Sequence, residues 1–105
     1  MNLPKSVIIA GRTYTIIKDM KRNGGWFNTV KLEIRIGLKG KVTDDEIRII
    51  LLHEIFEVIF TERNLRYKLG YYNPPENGHY LFSFNHQQFE DAMFDVALAL
   101  KGIAL

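Results

Sequence analysis

Residues 43–63 read "TDDEIRIILLHEIFEVIFTER", and how this stretch folds decides the architecture of the chain. Thr43 followed three residues later by Glu46 is a capping box, and the acids Asp44, Asp45 and Glu46 suit the positive end of a helix dipole. The spacing predicts a helix over about 44–63. Its apolar residues, Ile47, Ile49, Ile50, Leu51, Leu52, Ile55, Phe56, Val58, Ile59 and Phe60, cover nearly the whole circumference, the pattern of a central helix packed on several sides. Three polar residues interrupt that surface: His53, Glu54 and Glu57. An uncompensated ionised carboxylate inside a core costs several kcal/mol or more, so a partner for these groups is required.

The flanks read as a sheet on one side and a second helix on the other. "SVIIAGRTYTIIKDM" gives two short strands, Val7 to Ile9 and Thr13 to Ile17, joined at Ala10-Gly11-Arg12. A polar break, "KRNGG", follows. In "WFNTVKLEIRIG" Val30, Leu32, Ile34 and Ile36 fall on one face and Lys31, Glu33 and Arg35 on the other, a half-buried strand with one wet side. Short connections favour an antiparallel meander. Beyond the helix, "YKLGYYNPPENGHYLFSF" is aromatic-rich around the turn formers Pro74, Pro75, Asn77 and Gly78, which predicts a protruding hairpin with arms at about 67–72 and 79–84. "NHQQFEDAMFDVALALKG" restarts as a helix over about 86–101, with Asn85 as N-cap, Gln88 as its partner and Gly102 as the C′ residue; Phe89, Met93, Val96 and Leu100 should face the core. The expected fold is α+β: a small antiparallel sheet of three to four strands packed on the central helix, a C-terminal helix behind it, and an aromatic hairpin between the helices.

A chain of 105 residues, 47% hydrophobic and 25% charged, has the composition of one globular domain, here taken as 1–105. It has no cysteine, which fits a reducing compartment and removes every thiolate ligand or nucleophile. The N-terminal apolar run is too short for a signal peptide and no run approaches a membrane span, so a soluble, cytoplasmic protein without a membrane partner is expected. Charge is uneven: residues 1–48 hold ten Lys and Arg against five Asp and Glu, whereas the remainder holds four against seven. The basic residues are scattered rather than clustered, which favours a solvated sheet face over a nucleic-acid surface.

On a helix His53 and Glu57 lie one turn apart on the same face, with Glu54 beside them. This is the geometry of the HExxH zinc motif, in which two helical ligands hold the metal and the intervening glutamate is the general base. Here the second histidine is a glutamate, which remains a competent zinc ligand. A catalytic zinc takes three protein ligands and keeps one position open; His79, His86 and Glu90 are the candidates for the third. With His86 the set would be two imidazoles and one carboxylate. The rival reading of the same residues is a hydrogen-bonded polar cluster closed by Arg12, Arg48 or Arg63.

The chain resembles the small zincin-like proteins of phages and prophages that are related to the minigluzincins. "LPKSVIIAGRTYTI" is similar to their opening strands, "LEIRIG" to the strand that follows, "IRIILLHEIFEVIF" to their motif helix and "FNHQQFEDAMFDVALAL" to their ending; residues 66–80 fall outside the likeness. The resemblance implies a sheet packed on the motif helix, one zinc ion held by His53, Glu57 and His86, Glu54 as general base, and Glu90 as a supporting or substitute ligand. It departs from the family in two places: Glu57 stands where histidine is commoner, and the aromatic segment is longer. Two functions follow as expectations. One is a zinc metallopeptidase hydrolysing peptide or amide bonds in a phage-infected or prophage-carrying host. The other is an inactive zincin-like protein that binds a phage or host protein through the aromatic hairpin. Nucleic-acid binding by the basic half is the weaker third.

Overall fold

A computed structural model describes residues 2–40, 43–68, 80–101 and 103. Strands β1 (Ser6–Ile9) and β2 (Arg12–Asp19) form an antiparallel hairpin in which Ile9 pairs with Arg12. The two linking residues, Ala10 (φ 50) and Gly11 (φ 75), are both left-handed, as the tight turn matching strand twist requires. Strands β3 (Asn23–Asn28) and β4 (Glu33–Leu38) form a second antiparallel pair, and β4 lies parallel to β2. The sheet order is β1-β2-β4-β3.

The sheet is therefore mixed, and the antiparallel meander is corrected. The expected polar break "KRNGG" contributes its Asn-Gly-Gly to β3, and the single alternating strand is cut in two at residues 29–32. Asn28 causes the cut: its Oδ1 accepts from the backbone N–H groups of both Val30 and Lys31 at 2.9 Å, so the side chain takes donors that a ladder would have used. Val30, assigned to the core by alternation, is 88% exposed, and Leu32 is left-handed (φ 57). Only Ile34 and Ile36 of the expected stripe are fully buried.

Helix α1 (Asp44–Glu62) starts at the residue its sequence predicts, with the Thr43 half of the expected capping box in place, its hydroxyl accepting from the Glu46 N–H. Ile47, Leu51, Ile55, Val58 and Ile59 bury against Val7, Ile9, Tyr14, Ile16, Ile34 and Ile36 of the sheet. It is not covered all round, because Ile49 is exposed. Helix α2 (His86–Ala99) packs on α1 and β1, and its Asn85–Gln88 capping box is complete. Met93, Val96 and Leu100 join the core as expected, but Phe89 is exposed and Ala92 and Ala99 take the deeply buried positions. Arg63 and the buried Asp95 tie the two helices together through two hydrogen bonds, of which Nη2 to Oδ1 is 3.0 Å. Short strands β5 (Arg66–Lys68) and β6 (Tyr80–Phe82) pair antiparallel. The segment between them, with the "NPPENG" turn of the expected hairpin, and the expected C′ residue Gly102 lie outside the described residues. The fold is α+β, with both helices on one face of the four-stranded sheet. Among the described residues no helix is long and apolar enough to cross a membrane.

Candidate functional site

The end of α1 determines what stands beside the motif. Arg63 caps the helix, Asn64 adopts the left-handed conformation (φ 57), the Asn64 N–H donates to Thr61 O at 3.1 Å, and the Leu65 N–H donates to Phe60 O at 2.8 Å. This is a Schellman termination with asparagine in the place glycine usually takes, and the following apolar residue, Leu65, is buried against the core. The chain is thereby turned back along the helix, and the next residue, Arg66, reaches the motif.

Arg66 Nη1 donates to Glu57 Oε2 at 2.5 Å and to Thr61 Oγ1 at 3.3 Å, while the guanidinium lies 5.3 Å from the ring centroid of Phe27 on β3. Its side chain is only 12% exposed and that of Glu57 21%, so the pair is screened by water far less than a surface ion pair. His53 Nε2 stands 3.7 Å from the other Glu57 oxygen, Oε1, too far for a hydrogen bond, and its ring is 65% exposed. The i, i+4 spacing thus brings His53 and Glu57 together as predicted, and among the described residues the cation within bonding distance of that carboxylate is Arg66. The three arginines considered as partners bind elsewhere: Arg12 on Glu62 at 2.9 Å, Arg48 on Asp45 at 2.7 Å and Arg63 on Asp95.

Glu54 is the deepest of the three motif residues, 5% exposed, and its Oε2 has no hydrogen-bond partner among the described residues. Burial pushes its carboxyl above the ordinary glutamate range; the nearby His53 opposes this, Glu57 adds to it and Arg66 opposes it. Room for the side chain comes from Gly25 on β3, where a Cβ would stand 2.9 Å from both Glu54 Cγ and Ile50 Cγ2. A carboxyl group with a raised pKa beside a histidine and a second carboxylate has the chemistry of a proton-transfer group.

His86 begins α2, is 84% exposed, and faces Glu90 with Nδ1 3.4 Å from Oε1. It stands in a pair of its own, apart from His53 and Glu57. Among the described residues no three His, Asp or Glu side chains converge into a group that could hold a metal ion, and His79 lies outside them. The sequence reading missed Arg66. The available signal was "RNLR", an asparagine able to end a helix followed by a buried leucine, which turns the next residue back on the helix.

A second feature lies at the β6 side of α1. Phe60 of α1 stacks on Phe84 (centroids 5.5 Å apart, planes at 3°) and tilts against Phe82 (5.4 Å) and Phe56 (6.3 Å), and Phe84 continues to Phe89 of α2 at 6.0 Å. Phe82, Phe84 and Phe89 are each exposed over about two fifths of their surface, so the aromatic ladder has an inner edge in the fold and an outer edge in water. No family model, curated protein or solved structure matches the chain, and the reading of both features rests on their geometry.

Proposed function

We propose that this is a non-hydrolytic, zincin-like binding protein in which an arginine, not a metal ion, neutralises the motif helix. The observation that carries this is the 2.5 Å contact of Arg66 with Glu57 over the Phe27 ring. A guanidinium held on an aromatic face and bonded to the carboxylate meets the desolvation problem that a divalent cation would otherwise solve. A catalytic zinc also needs a third protein ligand, and among the described residues no third His, Asp or Glu joins His53 and Glu57. With no hydrolysis to perform, the surface left for function is the exposed phenylalanine edge at Phe82, Phe84 and Phe89, whose chemistry fits the apolar segment of a protein partner. The resemblance to phage zincin-like proteins makes that partner a phage or host protein.

One observation favours the second reading, a zinc metallopeptidase. Glu54 keeps a buried oxygen without a partner and a carboxyl biased towards its protonated form, the properties of a general acid or base beside two helical ligands. His53 and Glu57 would supply two ligands and the zinc a polarised water; Glu54 would hold the proton.

Elemental analysis of protein purified without a metal-binding tag separates the two. The first reading expects less than about a tenth of an equivalent of zinc, and no peptide hydrolysis on adding zinc. About one equivalent of zinc that is lost in both His53→Ala and Glu57→Ala, with hydrolysis abolished in Glu54→Gln, overturns it in favour of the second.

A further inference from the structure

Among the described residues, the face of the sheet turned away from the helices carries a cleft. Ile34 and Ile36 point into the core, so Glu33 and Arg35 point the other way, towards the face where Ile8, Thr13 and Thr15 are also exposed. Trp26 pairs directly with Arg35 across the β3–β4 ladder, and Asn28 pairs with Glu33. The turn before β3 brings Arg22 over the Trp26 ring, 5.2 Å from its centroid, and the turn before β4 brings Lys31 to the same place. Together with Asp19 these residues enclose a cleft of about 310 Å³. Its position is fixed by backbone packing as well: a Cβ at Gly37 would stand 2.4 Å from Arg22 O, so only glycine lets the Arg22 turn lie this close to β4.

Three basic residues that are scattered along the sequence, Arg22, Lys31 and Arg35, are therefore gathered around the chain's single tryptophan, Arg35 with its Nη2 3.3 Å from Glu33 Oε2. We infer that this cleft binds a nucleotide unit, an aromatic base with its phosphate, either free or within a single strand. Each component has a matching group. The indole face takes the base, and the base displaces Arg22, whose guanidinium then pairs with the phosphate or stacks on the base. Lys31 supplies further positive charge for the phosphate, as does Arg35 on exchanging its bond to Glu33 for one to the ligand. The Glu33 carboxylate so released and the second oxygen of Asp19, whose Oδ1 holds the Lys21 N–H, accept from base amino or sugar hydroxyl groups. A bare anion would leave the indole unused.

Trp26 is also the reporter. Its fluorescence is followed while the full chain is titrated with adenosine monophosphate, uridine monophosphate and an oligothymidylate. The expected result is a saturable change, weakening steeply from about 50 to 200 mM salt when the ligand is the oligothymidylate, and a loss of affinity of about tenfold or more in Arg35→Gln. The exposed Lys101→Gln, on α2's C-terminal side, should bind as the wild type does. Response to the mononucleotides assigns a free nucleotide; response to the oligomer alone assigns a single strand. Absence of a saturable change with all three ligands up to about 1 mM, beyond the range of ordinary non-specific nucleic-acid binding, overturns the inference. So does an equal loss in Arg35→Gln and Lys101→Gln, which would mean diffuse charge attraction. Should Arg35→Gln not melt as the wild type does, the exposed Lys31→Gln replaces it with the same expectation.

Discussion

Replacing Arg66 by methionine keeps much of the side-chain volume and removes the cation. The interactions lost include the 2.5 Å bond to Glu57, the 3.3 Å bond to Thr61 and the contact with the Phe27 ring. A hydrogen bond to a charged group contributes about 1.5–3 kcal/mol, and a partly desolvated cation over an aromatic ring about 0.5–2 kcal/mol. Methionine restores some apolar contact with Phe27, so the expected loss is about 2–3 kcal/mol, most of it from leaving Glu57 unpaired at 21% exposure. For a domain of this size that lowers the melting temperature by about 10–20 °C. The decisive assay is a double-mutant cycle of Arg66→Met with Glu57→Leu, read by urea unfolding. Because the pair is partly buried, its coupling should exceed about 1 kcal/mol and persist at high salt. A coupling below about 0.5 kcal/mol would refute the claim that Arg66 is the compensating cation of the motif helix.

Two further predictions concern Glu54 and the close glycines. Glu54 has its folded-state pKa raised, chiefly by burial, so the native state binds more protons than the unfolded state just above the ordinary glutamate value, and stability falls as pH rises through that window. The neutral isostere Glu54→Gln should therefore be more stable than the wild type near neutral pH, with the difference shrinking as pH falls through the window between the raised folded-state value and the ordinary glutamate value of about 4.3, and levelling off below it; thermal unfolding at a series of pH values checks this, and a difference that stays constant across that window contradicts it. Gly37→Ala should cost more than Gly25→Ala, although both add one methyl group to adjacent strands. At Gly37 the clash is with backbone at 2.4 Å, whereas at Gly25 two side chains at 2.9 Å can shift, a cost of about 1–3 kcal/mol for overpacking. Equal destabilisation in chemical denaturation would mean that the Arg22 turn moves freely.

Where local chemistry alone determined structure, it was legible. The Thr43 and Asn85 caps, the Ala10-Gly11 turn and the i, i+4 meeting of His53 with Glu57 each depend on residues within a few positions of one another. What the sequence did not disclose was non-local. The parallel pairing of β2 with β4 places β3 at the edge, and nothing in the alternation of either strand distinguishes a parallel neighbour from an antiparallel one. The alternating run from Trp26 to Gly37 also concealed a break, because the Asn28 side chain competes for backbone donors and periodicity carries no trace of that competition. At the candidate site the motif's own spacing was readable. Its partner was not, since the choice among several arginines depends on the direction in which the chain leaves α1.

That direction links the helix end to the character of the motif. Asn64 in the left-handed conformation and Leu65 in the core oblige Arg66 to run back beside Glu57, nine residues earlier in sequence. A guanidinium and a divalent ion make different demands on that carboxylate. Arg66 takes Oε2 in a directional hydrogen bond, whereas a metal shared with His53 would draw the same group towards an imidazole that now stands 3.7 Å from Oε1 and largely in solvent. Glutamate suits the arginine better than histidine would, because a neutral imidazole offers a guanidinium one acceptor and no charge, and a protonated one repels it. The substitution that makes HExxE unusual as a zinc motif is thus the one that makes it a good arginine-binding motif. Glu57 and Arg66 are accordingly best read as one unit, in which neither residue has its present role without the other.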